Sequence, residues 1–186
     1  MKNNSEKKKG TVSKSVFELF GTLISALVIV VLVLTFVFRQ VTVDGPSMEP
    51  TFFDGERLII TNTYGTMPEN NDIIIVSHSD NYDNQFIKRV IATEGQTLSI
   101  NFETNEVVVD GVLLNEPYIQ GVTIQTDPAM EIPSVIPEGY VFVMGDNREV
   151  SLDSRSTRIG LIPVENIIGK VQMRIFPFDK FKFFGD

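Results

Sequence analysis

Between Leu19 and Phe38 the chain runs for twenty residues without a charge, LFGTLISALVIVVLVLTFVF. As a helix rising about 1.5 Å per residue, this stretch would cover about 30 Å, the thickness of the hydrocarbon core of a bilayer. Its polar residues are Thr22, Ser25 and Thr35, and a helix satisfies such hydroxyls on its own carbonyls. A cleavable leader would have a shorter apolar region, about 7–15 residues, ending in a small-x-small site. Here Phe38-Arg39-Gln40-Val41 follows instead. The pattern predicts a single membrane-spanning helix over 19–38.

Residues 1–14 carry five lysines (2, 7, 8, 9 and 14) against Glu6, a net +4. The positive-inside rule puts a basic arm, 1–18, in the cytoplasm and a domain, 39–186, outside a cell membrane crossed once. The whole chain has a formal charge of −8, so the 172 residues after Lys14 carry a net −12. A basic arm on an acidic body argues against nucleic acid, whose binders carry positive charge on the folded face. The chain has no Cys and a single His, His78. Thiol nucleophiles, disulfides, Cys-ligated zinc and multi-His metal sites are thereby excluded. No cofactor or metal is implied.

Beyond Arg39, short apolar runs alternate with turn residues. Strands are expected at 57–61, 72–77, 85–92, 97–102, 106–109, 112–114, 139–144 and 168–176. Asp110-Gly111 suits a type I′ turn between two of them. No amphipathic helical stripe follows the apolar run, so the outer domain reads as mainly β.

Three segments are richer than turns require. Asp44-Gly-Pro-Ser-Met-Glu-Pro-Thr51 sets Ser47 between Gly45 and two prolines; Phe86-Ile-Lys-Arg-Val-Ile91 puts a lysine inside an apolar strand. Gly145-Asp-Asn-Arg-Glu-Val-Ser-Leu-Asp-Ser-Arg155 is a dense polar loop directly after the apolar Tyr140–Met144. Polar loops at the ends of apolar strands are where sites tend to sit. Ser47 needs a base to become a nucleophile. The hydrolase elbow G-x-S-x-G fails at Glu49, and the penicillin-recognising set fails because no Lys-Thr-Gly exists. His78 lies in a polar turn-like stretch. Lys88 remains as base, on one strand face with Phe86 and Val90. Periodicity alone leaves open a lysine whose stem covers apolar surface while its head reaches water.

Together the three segments resemble the serine box, the lysine box and the Gly-Asp-Asn-Arg-x-x-Ser-x-Asp-Ser-Arg box of type I signal peptidases of the short, single-anchor, Gram-positive kind. Gly160-Leu-Ile-Pro-Val164 and Ile168-Gly-Lys170 are similar to that family's closing segment. The resemblance covers the apolar run and nearly all of the outer domain. It implies a β-sheet catalytic domain after one transmembrane helix, with Ser47 as nucleophile, neutral Lys88 as general base and the Ser47 N–H as an oxyanion donor. It further implies that Ser151 orients the lysine, that Asp153 and Arg155 pair to brace their loop, and that Asp146 and Arg148 are structural. The implied substrates are exported preproteins, cut after small residues of the Ala-x-Ala type close to the bilayer and beside the secretion translocon. Val43, Met48, Phe52, Phe86 and Ile87 would line the pocket.

Two departures stand out. Gly45 replaces a Ser that completes the oxyanion hole in Gram-negative relatives. After the lysine box, Ala92-Thr-Glu-Gly-Gln96 keeps only Gly95 of the usual run. The tail, Phe176-Pro-Phe-Asp-Lys-Phe-Lys-Phe-Phe184, suits either a final core strand or contact with the lipid interface. An anchored, non-catalytic relative acting as assembly or chaperone factor is expected to have lost Ser47 or Lys88, and this chain has both. A self-cleaving Ser-Lys repressor would lack the apolar run.

Overall fold

The computed structural model describes residues 17–32, 38–63, 66–79, 82 and 84–184. The chain divides into two compact units, Met1–Phe38 and Arg39–Asp186. Residues 1–16, most of the predicted basic arm, lie outside the described residues.

A helix covers residues 17–32. Sixteen residues give about 24 Å, and no helix among the described residues is long and apolar enough to cross a membrane. The expected span over 19–38 is not matched: the described helix covers residues 17–32, residues 33–37 lie outside the described residues, and Phe38 is the first residue of a strand. Lack of charge fixes an environment rather than a conformation, and an aromatic residue with Val41 and Thr42 behind it suits a strand.

The second unit is built from strands. They are β1 (Phe38–Thr42), β2 (Arg57–Thr61), β3 (Ile73–Val76), β4 (Phe86–Ala92), β5 (Leu98–Asn101), β6 (Glu106–Val109), β7 (Val112–Leu113), β8 (Tyr140–Met144), β9 (Ile162–Pro163), β10 (Ile167–Phe176) and β11 (Lys182–Phe183). The eight expected strands are all present, within a residue of their expected bounds. β1, β9 and β11 were not anticipated; two of them are two-residue strands, too short for an alternating pattern.

One sheet has the order β1-β2-β10-β3-β4-β8-β9, with β11 pairing β10. Its neighbours pair antiparallel from β2 through β9. A second sheet, β5-β6-β7, carries the predicted hairpin. Asp110 and Gly111 have φ of 51° and 77°, the left-handed pair that a type I′ turn requires.

The run Ile73-Ile-Ile-Val76 is buried throughout, as befits a strand covered on both faces. Ile73 and Ile75 join a core cluster with Val43, Met48, Phe52, Leu58, Ile60, Ile87 and Val171. Ile74 and Val76 face the opposite way, into a cluster with Val90, Val141, Val143 and Ile159. Strand β4 therefore runs through the middle of the domain, and any polar side chain on it is desolvated. Lys88 is such a residue.

Candidate active site

Ser47 opens a tight turn fastened at several points. The Gly45 N–H donates to Asp54 Oδ1 at 2.9 Å, the Glu49 N–H to the Pro46 carbonyl at 3.1 Å and the Phe52 N–H to the Met48 carbonyl at 2.9 Å. Gly45 has φ +81°, a conformation that a Ser at this position would strain to adopt. Below the turn, Met48 and Phe52 are fully buried and anchor it to the first core cluster.

Lys88 faces this turn from the centre of β4. It is 3% exposed. Its Nζ donates to Ser47 Oγ and to the Ile87 carbonyl, both at 2.9 Å, and lies 5.7 Å from the centre of the Phe86 ring. The open alternative of a solvent-seeking head group is thereby removed. Burial pushes the amine from its usual 10.5 down to about 8, against the charges of Asp153 and Asp146, which hold it up; Arg155 adds a smaller downward push. At pH 7 about one Lys88 in ten is then neutral, compared with about one in three thousand for an unperturbed lysine.

The third segment presses directly on the serine turn. A Cβ at Gly145 would sit 2.2 Å from Ser151 Oγ and 2.4 Å from the Ser47 carbonyl oxygen, so only glycine allows this approach. Asn147 donates its backbone N–H to the Ser47 carbonyl at 3.1 Å and its side-chain amide to the Pro46 carbonyl at 3.2 Å. Neither Gly145 nor Asn147 stood out in the sequence as a site residue. Both lie inside the Gly-Asp-Asn-Arg box, which was the available signal.

Of the five charged residues of the loop, Asp146, Arg148, Asp153 and Arg155 are 0–1% exposed, while Glu149 is exposed. Asp153 and Arg155 pair at 2.8 Å, and Asp153 Oδ2 also accepts the Gly145 N–H at 3.0 Å. Arg155 donates onward to the Arg148 and Ile124 carbonyls, both at 2.8 Å. Asp146 and Arg148 do not pair with each other. Asp146 takes a two-pronged contact from Arg89, at 2.8 and 2.7 Å, and accepts the Thr51 hydroxyl. Arg148 pairs with Glu116 and donates to Thr123 Oγ1 at 2.9 Å. Burial, with the charge of Glu116 adding to it, pushes the phenol of Tyr118 upward; its ring lies 3.8 Å from the Arg89 guanidinium carbon.

Ser151 does not contact the lysine amine as anticipated. Its Oγ is buried without a hydrogen-bond partner among the described residues, and the Ile87 carbonyl takes up the second contact of Lys88.

A groove of about 500 Å³ runs over the pair. Besides Ser47 and Lys88, its lining includes Gly45, Phe86, Ile87, Val150, Leu152 and Ile159. An adjoining depression of about 80 Å³ shares Phe86 and Ile87 and adds Val41 and Ile75. Of the five expected pocket residues, Phe86 and Ile87 line these grooves. Val43, Met48 and Phe52 are buried in the core beneath. Among the described residues no group of three or more His, Cys, Asp or Glu could hold a metal ion.

A hydroxyl thus lies within hydrogen-bond reach of a desolvated amine, and both residues line the groove. Comparison with known proteins gives the family. The model of the family described as signal peptidase, peptidase S26, matches residues 16–176. Signal peptidase I of Bacillus licheniformis is 34% identical over 189 residues, covering 96% of this chain and 98% of its own. Signal peptidase IB of Staphylococcus aureus (strain MRSA252) is 35% identical over 189 residues, covering 92% and 95%. A crystal structure of a signal peptidase I from Enterococcus faecalis aligns with a TM-score of 0.45 and 27% identity, over 55% of this chain and 95% of that one. The chain belongs to the signal peptidase family, peptidase S26, and is a serine peptidase, a hydrolase.

Proposed function

We propose that this chain removes N-terminal signal peptides from exported preproteins, cutting after small residues through an acyl-enzyme made by Ser47 and Lys88. The observation that carries the reading is the 2.9 Å contact between Lys88 Nζ and Ser47 Oγ, with the amine buried and lowered to about 8.

In the first half-reaction, neutral Lys88 takes the Ser47 proton as Oγ attacks the scissile carbonyl carbon. The Ser47 N–H donates to the oxygen that becomes negative. The lysine proton then passes to the departing amine, leaving an ester on Ser47. In the second half-reaction, Lys88 takes a proton from water, the hydroxide attacks the ester, and Ser47 regains its hydrogen. Ser151 orients the amine during these transfers. An unpartnered buried hydroxyl costs about 1–3 kcal/mol, which a bond to the Lys88 amine would recover. Asp146, Arg148, Asp153 and Arg155 hold the loop and do no chemistry.

Small-residue preference is supported by the groove. Two depressions meet at Phe86 and Ile87, and an extended substrate turns every second side chain to the same face. Bulky walls at both points penalise large side chains. The apolar run from Leu19 anchors the enzyme in the cell membrane, where preproteins emerge beside the translocon. A non-catalytic assembly role is not favoured, because nothing in such a role calls for a desolvated lysine against a serine.

The test is cleavage of a preprotein by the detergent-solubilised chain, with Ser47→Ala and Lys88→Met as controls. Each substitution is expected to lower turnover by at least about 10³-fold. Undiminished cleavage by either variant overturns the dyad.

A further inference from the structure

The far end of the serine turn is held by a residue that lies 127 positions along from Ser47 and outside all three boxes. Arg174, near the end of β10, is 9% exposed. Its Nη1 donates to the Thr51 carbonyl at 3.0 Å and to Glu56 Oε2 at 2.8 Å. Its Nε donates to the Lys180 carbonyl at 2.7 Å, in the Phe-rich tail. The guanidinium carbon lies 5.9 Å from the ring centres of both Phe52 and Phe184, and those two rings meet edge-on with centres 4.7 Å apart. Thr51 and Phe52 close the turn that Ser47 opens, through the Phe52 N–H on the Met48 carbonyl. The Thr51 hydroxyl is gripped from the other side by Asp146. One residue of the turn is thus fixed through both its carbonyl and its hydroxyl.

We infer that Arg174 is a positioning residue for Ser47: it carries the packing of the C-terminal tail to the Thr51 carbonyl and so sets where the nucleophile sits relative to Lys88. This rests on the reading of Ser47 as nucleophile. The bland account is a buried ion pair with Glu56 that only stabilises the fold. The two accounts separate because a buried pair exchanged for apolar residues often keeps stability, whereas removing one partner leaves an uncompensated charge. Positioning is less forgiving, since a displacement of about 1 Å at a reacting group costs about 10²-fold in rate.

The experiment uses the full chain in detergent, a preprotein substrate, and circular dichroism to confirm the folded fraction at the assay temperature. Arg174→Met alone is expected to lower both the melting temperature and kcat. Glu56→Leu with Arg174→Met should restore the melting temperature, leave KM within about twofold and keep kcat about tenfold or more below wild type. Arg174→Lys, whose compact ammonium keeps Glu56 paired but lacks the fork to reach both carbonyls, should lower kcat several-fold with little change in melting temperature. If either of the last two variants is fully folded with kcat within twofold of wild type, Arg174 is structural only and the inference is overturned. Ser47→Ala runs alongside: cleavage that survives it removes the dyad reading itself, a separate failure.

Discussion

A lysine held near pH 8 inside a protein makes opposite demands on stability and on rate, and both can be read from one titration. Lys88 titrates at about 8 when folded and at 10.5 in the open chain. Between those values the unfolded chain holds more protons, so stability rises with pH across that window. Below pH 8 the full cost of burying the charged amine applies, about 3 kcal/mol for this shift. Lys88→Met abolishes the cost together with the base. In urea titrations its stability advantage over wild type should be greatest below pH 8 and shrink toward pH 10.5; an advantage that does not change with pH would contradict the buried titration. Wild-type turnover should rise with pH to a midpoint near 8 as the neutral amine accumulates. Gly145 allows no such latitude. A methyl there meets the Ser47 carbonyl oxygen at 2.4 Å, and a backbone atom cannot swing aside as a side-chain tip would. Gly145→Ala should lower kcat at least about 10²-fold by displacing the nucleophile. Normal turnover would mean that the serine turn tolerates the shift.

The loop from Gly145 to Arg155 acts as one element, because its charges are satisfied inside it and by its immediate neighbours. Asp153 braces it through Arg155 and also holds the Lys88 pKa up. Asp153→Asn should therefore do two things. Losing the charge lets the lysine fall further, so the pH midpoint of turnover moves below 8. Leaving Arg155 buried and unpaired should cost about 3–5 kcal/mol, visible as a lower urea midpoint. A pH profile that moves to higher pH would reverse the assigned electrostatics. Sequence reading served this scale unevenly. β3 was legible from an unbroken apolar run, β4 from an apolar run interrupted by Lys88 and Arg89, and the β6–β7 turn from Asp110-Gly111. β1, β9 and β11 were not, being short or lying at the end of a longer apolar stretch. Lys88 and Ser47 stood out as residue types, but their contact spans 41 positions, and no local period encodes it. Arg89 with Asp146, Glu116 with Arg148 and Arg174 with Thr51 escaped notice for the same reason. The pairing of Asp153 with Arg155 was expected only because the resemblance to the family's third box implied it.

On the scale of the whole molecule, the proposed chemistry draws on residues of one compact unit, Arg39–Asp186. All three core clusters draw only on residues from Val41 onward, so residues 38–186 should fold without the helix at 17–32. Their net charge of −11 opposes approach to an anionic lipid surface, at about 1 kcal/mol per charge close to the headgroups. The exposed Phe178, Phe181 and Phe183 with Lys180 and Lys182 offer a weak counter-attraction. The proposed anchor overcomes this repulsion by confinement, since tethering two reactants raises their effective concentration without any new contact. From Phe38 to Ser47 the chain reaches at most about 30 Å, so the proposed anchor would hold the groove near the lipid surface. Removing residues 1–37 should leave turnover of a short soluble peptide within about threefold of the full chain. Cleavage of a preprotein inserted in anionic vesicles should fall about 10²-fold, and added salt, which screens the repulsion, should restore part of it. Equal loss on both substrates would mean that the first unit supports the fold rather than the encounter. No loss on either would mean that the acidic body finds its membrane-bound substrate unaided.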